Sequence, residues 1–247
     1  YIPNISNISE KILNSAVIMY IFSPSNPHGS VASLDYLKEA ILLARKYNFI
    51  LAVDECYCDI FRMNRPKPPG ALEAAASLGK GLDKLIIFNS LSKRSNASGM
   101  RAGFIAGDKN IIESYKLLVS NGASPVPIPI QKVAASLYAD EEHHTKACIH
   151  YDKNFSIVEK YLKPFYKDFK LPDAGFFLWL KVRDDQQAAK ILWNKFSLRV
   201  MPGSYMGINV QGFNPGKGFL RISLVDNKEV IEEAMKRIQL FLQSEIS

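Results

Sequence analysis

Short hydrophobic runs alternate with amphipathic segments through the first half of the chain. The runs lie at positions 16–22, 49–53, 84–89 and 102–106, and their length is typical of strands that are buried on both faces. Ser33 precedes apolar residues at helical spacing as far as Tyr47, which predicts a helix capped by that serine. A helix between two buried strands indicates an α/β fold, with a mostly parallel sheet covered by helices on both faces.

The second half follows a different pattern. We expect a helix at 111–120 and an irregular proline-containing connection at 122–129. From Gln131 to about Phe165 the pattern is mostly helical and polar, which predicts one long helix leaving the first domain. Strands at 174–182 and 218–224 then accompany helices at 185–196 and 228–242. This change predicts two domains, a larger one at 1–144 and a smaller α+β domain at 145–247.

Three of the predicted strands run directly into polar segments. These segments are Ser-Pro-Ser-Asn-Pro-His-Gly at 23–29, Asp-Glu-Cys-Tyr at 54–57 and Ser-Leu-Ser-Lys at 90–93. Ligands of doubly wound sheets bind beyond the carboxyl ends of the strands, so we expect these groups to face a ligand. Lys93 is an amine flanked by hydroxyls, with Arg101 eight positions on. This pattern suits an aldehyde cofactor that carries a phosphate.

Each of these residues also has an ordinary structural interpretation. Asp54 could be a turn or capping residue, Tyr57 a core aromatic, and Asn26 a turn residue before proline. Lys93 could be a surface lysine, and Ser92 could cap the turn that follows it. The case for a functional site therefore depends on all of these residues together.

The order of the motifs resembles that of the fold-type I, class I/II aminotransferases, which depend on pyridoxal phosphate. That order is Asn-Pro-x-Gly, Asp-x-x-Tyr, Ser-x-x-Lys with an arginine eight residues later, and a late arginine in a strand. Here the motifs lie at 26–29, 54–57, 90–101 and 221. The resemblance extends along essentially the whole chain, and the segment 90–103 is its most specific part. It implies the family's fold, pyridoxal phosphate as cofactor, and small amino-acid and 2-oxo-acid substrates.

The resemblance gives Lys93 the catalytic role. Its amine would bind the cofactor's aldehyde and later shuttle a proton at the substrate's Cα. Asp54 would pair with the pyridine nitrogen and keep it protonated, which makes the ring a better electron acceptor. Tyr57 and Asn26 would hydrogen-bond the ring's phenolic oxygen.

The remaining groups would bind anions. The resemblance implies that Ser90 and Arg101 hold the cofactor's phosphate, and that Ser92 could join them. The resemblance also implies that Arg221 binds the substrate's α-carboxylate through two parallel N–H bonds. A structural salt bridge is the alternative for Arg221, because an unpaired charge in the middle of a strand would be costly.

Finer similarity points to the N-succinyldiaminopimelate aminotransferases of bacterial lysine and cell-wall synthesis. It lies in the segments 54–57, 90–96 and 201–225. Those enzymes transfer an amino group between glutamate and N-succinyl-2-amino-6-oxopimelate. His28 departs from the family's usual threonine, and Ala97-Ser98 replaces a pair of an apolar residue and proline. The alternatives are an aminotransferase for aspartate, aromatic or other amino acids, or a catalytically silent fragment.

The resemblance also implies parts that this chain lacks. In the family, a glycine-rich phosphate cup and an aromatic that stacks on the pyridine ring precede Asn-Pro-x-Gly by many residues. Because only 25 residues precede Asn26, we expect roughly the first third of the enzyme to lie outside this chain. Part of a sheet would then have an open apolar edge. The resemblance further implies a homodimer.

Composition narrows the possible partners. The net charge of +7 comes from scattered lysines and arginines, which predicts a basic surface that suits anionic substrates rather than a nucleic-acid site. Three cysteines without disulfide spacing indicate a reducing cytoplasm. No apolar run reaches membrane-spanning length. Cys56-Tyr-Cys58 is too tight for a zinc half-site, and we expect His143-His144 to be solvated, so no metal site is predicted.

Overall fold

The computed structural model describes residues 1–79, 81–123 and 125–246, without the side chain of residue 246. These residues form two compact units. The first contains Tyr1–Ser25 and Ser30–Ala147, and the second contains Asn26–Gly29 and the residues from Cys148 onward. The short segment Asn26–Gly29 therefore belongs with residues far from it in sequence. The assignment of 1–144 to a cofactor-binding domain and of 145–247 to a smaller domain stays a prediction.

The first unit contains a four-stranded sheet and the helices around it. The strands are β1 (Ile18–Phe22), β2 (Ile50–Asp54), β3 (Leu85–Ser90) and β4 (Gly103–Gly107). The helices are α1 (Glu10–Ser15), α2 (Leu34–Tyr47), α3 (Ala71–Ser77), α4 (Leu91–Arg94), α5 (Lys109–Gly122) and α6 (Ile128–Ala139), together with the start of α7 (Glu142–Leu162). As predicted, Ser33 caps α2, and its hydroxyl accepts the Tyr36 N–H at 3.1 Å.

The sheet is mixed, with strand order β1-β2-β3-β4. The first three strands are parallel, and β4 is antiparallel to β3. The register places Phe22 opposite Asp54, and Asp54 opposite Phe88. The carboxyl ends of the parallel strands therefore lie at one edge of the sheet, as the pattern of polar segments predicted.

The prediction that the first strand is buried on both faces is wrong. β1 is the edge strand, and only Ile21 within it is buried. Ile18, Tyr20 and Phe22 are 54%, 49% and 50% exposed. A continuous hydrophobic run does not distinguish an edge strand from a central one, because its burial depends on neighbours that the run itself does not specify.

The prediction of one long helix from Gln131 is also wrong, because this stretch consists of two helices. α6 ends at Ala139, and α7 begins at Glu142. Between them the Asp140 carboxylate accepts the Glu142 N–H at 2.8 Å, which is the usual role of an aspartate at a helix start. The irregular connection is shorter than predicted because α6 begins at Ile128, and residue 124 lies outside the described residues.

The second unit contains a small antiparallel sheet with strand order β5-β7-β6. Its elements are β5 (Phe177–Lys181), α8 (Asp185–Phe196), β6 (Met201–Pro202), β7 (Phe219–Ser223) and α9 (Lys228–Ile246), together with most of α7. Phe155, Leu192 and Phe241 are fully buried in its core. The short strand β6 was not predicted, since two residues carry no detectable alternation. Among the described residues, no helix is both long and apolar enough to span a membrane.

Asp185, at the start of α8, ties two loops of the second unit together. It is only 2% exposed, and its carboxylate accepts N–H groups from Ser204 at 2.8 Å and Gly218 at 3.0 Å. Burial alone would raise the pKa of Asp185, but these hydrogen bonds outweigh it and hold the pKa below its ordinary value. The carboxylate thereby fixes the loop that leads into β7.

We predict that Asp185→Asn destabilises the protein by about 1–3 kcal/mol near neutral pH, because the two N–H groups lose a charged acceptor. A carboxyl group with a lowered pKa stabilises the fold above its unfolded pKa, and this contribution is lost as the pH falls through the folded pKa. The difference between variant and wild type should therefore shrink in acid. Urea unfolding across a pH series measures it, with the exposed Asp168→Asn as control. A difference that does not depend on pH would contradict this assignment.

Candidate active site

Lys93 lies on α4, a single helical turn that follows β3 directly. Ser90, the last residue of β3, caps this turn: its hydroxyl oxygen accepts the Ser92 N–H at 3.1 Å. The same hydroxyl donates to the Ser92 Oγ at 2.9 Å. The hydroxyls of Ser90 and Ser92 thus lie side by side at the start of the turn that carries Lys93. Lys93 itself is half-buried.

Lys93 lies close to Tyr57, and Asp54 ends the strand next to the one that leads into Lys93. The Lys93 Nζ is 5.8 Å from the centre of the Tyr57 ring. Asp54, at the end of β2, is oriented by a hydrogen bond from the Cys56 N–H to its Oδ1 at 2.9 Å. The sheet therefore brings an amine, a phenol and a carboxylate to the ends of two neighbouring strands.

The charges of Asp54 and Lys93 both influence the Cys56 thiol. Burial raises the pKa of this thiol to about 12, helped by its hydrogen bond to Asp54 and by the charge of that carboxylate. The ammonium of Lys93 opposes this rise. The negative charge of Asp54 and the positive charge of Lys93 thus have opposite effects on the pKa of this thiol.

Tyr20 is a neighbour of this site that the sequence analysis missed. Its ring stacks on that of Phe88, with the ring centres 5.9 Å apart and the planes 16° from parallel. Partial burial and the nearby Asp54 carboxylate raise the pKa of the Tyr20 phenol. The signal that could have found it is strand register: Tyr20 pairs with Ala52, two residues before Asp54 and hence on the same face of the sheet.

Arg101 follows the lysine segment but is exposed. It has a left-handed backbone, with φ of 51°, and its Nη1 donates to the Ser98 carbonyl at 3.0 Å. This bond takes one of the guanidinium's five N–H donors. The bond to Ser98 is the one that positions the Arg101 side chain, and no hydrogen bond joins it to Ser90 or Ser92 among the described contacts.

The second unit holds the other two predicted site residues, and they are in contact. The Arg221 Nη1 donates to the Asn26 Oδ1 at 3.1 Å, and the guanidinium lies 4.6 Å from the centre of the Phe177 ring. Arginine offers donors only, so the Asn26 oxygen must face it and the amide nitrogen must point elsewhere. A neutral amide and an aromatic face therefore support this mid-strand cation.

The motif Asn-Pro-x-Gly is positioned within the same unit. Gly29 has a left-handed backbone, with φ of 65°, and a side chain there would collide with the Ala174 carbonyl. The Ala174 N–H donates to the Gly29 carbonyl at 3.0 Å. His28, the departure from the family's usual threonine, packs edge-on against Trp179 with ring centres 5.5 Å apart. The substitution therefore has a packing role here.

The sequence analysis also missed the residue that follows the lysine. Arg94 is buried, with 4% of its side chain exposed, and it bonds residues of the α6–α7 junction. The expectation that His143 and His144 are solvated is wrong for His144, which is only 6% exposed. His143 has the Ser95 hydroxyl as one of its partners, at 2.8 Å from its Nε2. Among the described residues, no group of three or more His, Cys, Asp or Glu side chains is placed to hold a metal ion.

We predict that the reactivity of Cys56 follows the two charges beside it. Asp54→Asn should lower the pKa of the thiol and speed its alkylation by iodoacetamide, whereas Lys93→Gln should slow it, because the thiolate is the reacting form. Peptide mass spectrometry of the cofactor-free protein at mildly alkaline pH measures the rates. Cys58 is an internal control, since burial and then Asp59 and Glu55 raise the pKa of its thiol. Equal changes at both cysteines would contradict the proposed proximity.

The chain is similar to aminotransferases of known sequence and structure. It is 28% identical over 243 residues to LL-diaminopimelate aminotransferase 2 of Nostoc sp., covering 97% of this chain and 60% of that protein. An aminotransferase from Neisseria meningitidis has a TM-score of 0.88 and 39% identity, over 96% of this chain and 60% of that one. A probable N-succinyldiaminopimelate aminotransferase from Thermus thermophilus has a TM-score of 0.84 and 26% identity, over 97% of this chain and 62% of that one.

The chain thus spans about three fifths of the length of the relatives it matches. The similarity to solved structures confirms the predicted α/β aminotransferase fold. The family model for aminotransferase class I and II matches residues 4–238. The predicted resemblance is confirmed, and the chain belongs to the class I and II aminotransferase family.

Proposed function

We propose that this chain is part of a pyridoxal-phosphate-dependent aminotransferase in which Lys93 is the catalytic residue. The observation that carries the proposal is the grouping of Lys93 and Tyr57, 5.8 Å from Nζ to ring centre, with Asp54 at the end of the adjoining strand. Membership of a family whose members use pyridoxal phosphate supports it.

The donor and acceptor groups of the first unit suit this cofactor. A carboxylate at Asp54 matches the pyridine nitrogen, and the paired hydroxyls of Ser90 and Ser92 match phosphate oxygens. Arg101 contributes a positive charge to the proposed phosphate site. Its bond to the Ser98 carbonyl uses one of its five N–H donors, so the others can reach the phosphate. When bound, the cofactor supplies an electron-accepting ring that stabilises negative charge at the substrate's Cα.

The side chains have separate tasks in the proposed reaction. The Lys93 amine carries the proton that leaves the substrate's Cα. Asp54 pairs with the ring nitrogen and favours a proton there. Tyr57 donates its hydroxyl to the ring's phenolic oxygen. Asn26 donates to the same oxygen through its amide nitrogen, while its amide oxygen accepts from Arg221.

Arg221 is the proposed site for the substrate's α-carboxylate. Its guanidinium can form two parallel N–H bonds to a carboxylate, a geometry that lysine does not offer. The Asn26 oxygen and the Phe177 ring hold the guanidinium without neutralising it. An uncompensated cation of this kind favours an anionic ligand, which supports substrate binding over a structural salt bridge.

We propose a substrate with a diaminopimelate skeleton. The named relatives from Nostoc and Thermus act, by their names, on LL-diaminopimelate and on N-succinyldiaminopimelate. We take N-succinyl-2-amino-6-oxopimelate with glutamate as the first candidate pair, because of the similarity in segments 54–57, 90–96 and 201–225. Such substrates carry several carboxylates, which a chain of net charge +7 suits.

We also propose a cellular compartment and an oligomeric state for the enzyme. Among the described residues, no disulfide includes Cys56, Cys58 or Cys148, which supports a reducing cytoplasm. The family resemblance supports a homodimer. The rival proposals are another class I/II aminotransferase, for aspartate, aromatic or other amino acids, and a catalytically silent fragment.

We predict that Lys93→Ala abolishes the visible absorbance of lysine-bound pyridoxal phosphate and lowers turnover by about 10²–10⁴. The amine is both the covalent attachment point and the proton carrier, so both readouts should fail together. Absorbance and single-turnover assays on the full-length protein measure this, with the exposed Lys116→Ala as control. Retention of both signals in Lys93→Ala would show that another lysine is used. The chain of 247 residues is tested alongside, and loss of absorbance there alone would favour the silent fragment.

We predict that, with glutamate as amino donor, kcat/KM is highest for N-succinyl-2-amino-6-oxopimelate. A coupled assay of 2-oxoglutarate formation by the full-length protein compares it with the unsuccinylated acceptor and with oxaloacetate. Higher kcat/KM for the unsuccinylated acceptor would replace the first candidate by the LL-diaminopimelate reaction. Equal or better turnover of oxaloacetate would contradict the diaminopimelate proposal altogether.

A further inference from the structure

Arg94 is a buried cation directly next to the proposed catalytic lysine. Its Nη1 lies 3.2 Å from the Asp59 Oδ2, and its Nη2 lies 2.8 Å from the Glu141 Oε1. The same Nη2 donates to the carbonyl oxygens of Tyr138 at 3.3 Å and Asp140 at 3.2 Å. One guanidinium thus joins α4 to the end of α6, to the turn before α7 and to the segment after β2.

These contacts require a forked donor. Two carboxylates and two carbonyl oxygens surround the guanidinium, and a planar group with five N–H donors can reach acceptors on several sides at once. A lysine at this position would keep the charge but would lose most of these bonds, since an ammonium is a compact point charge. Removing the charge would leave Asp59 and Glu141 without the cation that they share.

The helix that carries Arg94 and Lys93 is a single turn, and besides the Arg94 bonds the Leu91 N–H at its start donates to the Ala102 carbonyl at 3.2 Å. α4 is four residues long, and only Leu91 and Arg94 within it are buried. Successive residues of an α-helix are about 100° apart around its axis. Fixing the direction of the Arg94 side chain therefore fixes the direction in which Lys93 projects.

A second bond supports the same junction. The Ser95 hydroxyl, just after α4, lies 2.8 Å from the His143 Nε2, and the His143 Nδ1 lies 2.8 Å from the Asp140 Oδ2. The residues Tyr138–His144 thus contact the lysine turn at two consecutive positions. We call Arg94, Asp59, Glu141 and the carbonyl groups of Tyr138 and Asp140 the Arg94 clamp.

We propose that Arg94 is a positioning residue for Lys93: the Arg94 clamp fixes the rotation of α4 and so aims the lysine amine at Tyr57 and Asp54. This inference rests on the proposed function, because it concerns the residue that performs the transfer. Misplacing a reacting group by about 1 Å can cost roughly 10²-fold in rate. The clamp therefore affects catalysis without touching cofactor or substrate.

Arg94→Lys in the full-length protein is the test, with Arg45→Lys as a matched control. Arg45 is also a partly buried guanidinium in the first unit, and it donates to the Gly81 carbonyl at 2.7 Å, but it lies on α2. Two measurements use the cofactor-free protein: amide hydrogen exchange across residues 91–97, and the pH profile of Lys93 acetylation read by mass spectrometry. Steady-state kinetics of the loaded protein give kcat and KM separately.

We expect Arg94→Lys to speed exchange across 91–97 by at least about tenfold, shift the Lys93 acetylation profile, and lower kcat by about 10–10²-fold with KM within about twofold. Arg45→Lys should leave all of these readouts at wild-type values. If Arg94→Lys lowers only the melting temperature and leaves exchange, acetylation and kcat unchanged, the clamp is merely structural and the inference is wrong.

The cofactor-free measurements separate this inference from the proposed function. A wild-type protein that binds no pyridoxal phosphate at Lys93 would refute the proposed function, whatever Arg94→Lys does. A wild-type protein that binds it, together with an Arg94→Lys variant that behaves like Arg45→Lys, would refute the inference alone. Glu141→Gln, which keeps the Arg94 charge but weakens one bond, should show the same changes to a smaller degree.

Discussion

The parallel register of β1, β2 and β3 is the constraint on which the site depends. It sets Phe22, Asp54 and Phe88 side by side, so the chain leaves adjoining strands at one edge and must turn there. A slip of one residue would send Asp54 to the opposite face of the sheet. Leu51 and Val53 pack in the core of the first unit, so such a slip would also remove them from that core, and the core therefore specifies the register strongly.

Two buried charged side chains, Arg94 and Asp185, hold the chain in place where it turns. Arg94 bonds the turn after β3 to the α6–α7 junction, and Asp185 bonds the loops around β7 through two backbone N–H groups. Arg221 differs, because its partners are a neutral amide and an aromatic face. Arg94 and Asp185 have charged or N–H partners within the chain, whereas no ion pair among the described residues includes Arg221, and this difference supports the proposal that Arg221 binds a ligand.

The local features of the fold were predictable from sequence because each depends on neighbours within a few residues. Ser33 caps α2, and the hydrophobic runs became strands at the expected places. The exposure of β1 was not predictable, because it depends on which strand lies beside it. The break at Asp140 was missed for another reason: an acidic residue fits both a polar helix surface and a cap, and only the three-dimensional path decides between them.

The residues of the candidate site likewise include some that were predictable from sequence and some that were not. Lys93, Asp54 and Tyr57 could be found because they follow hydrophobic runs at fixed spacings, and their individual roles stay predictions. Arg94 was not singled out and His144 was expected to be solvated, since sequence gives no sign that distant acceptors surround them. The bond between Asn26 and Arg221 joins residues 195 positions apart, a separation that no local pattern reveals.

The central claim is that Lys93 is the residue that holds the cofactor. The most direct test is to reduce the full-length protein with borohydride in the presence of pyridoxal phosphate, digest it, and locate the pyridoxyl group by peptide mass spectrometry. The account predicts a single modified lysine, Lys93, in the peptide that contains residues 90–94. Modification spread over several exposed lysines, or concentrated on a different one, would contradict it.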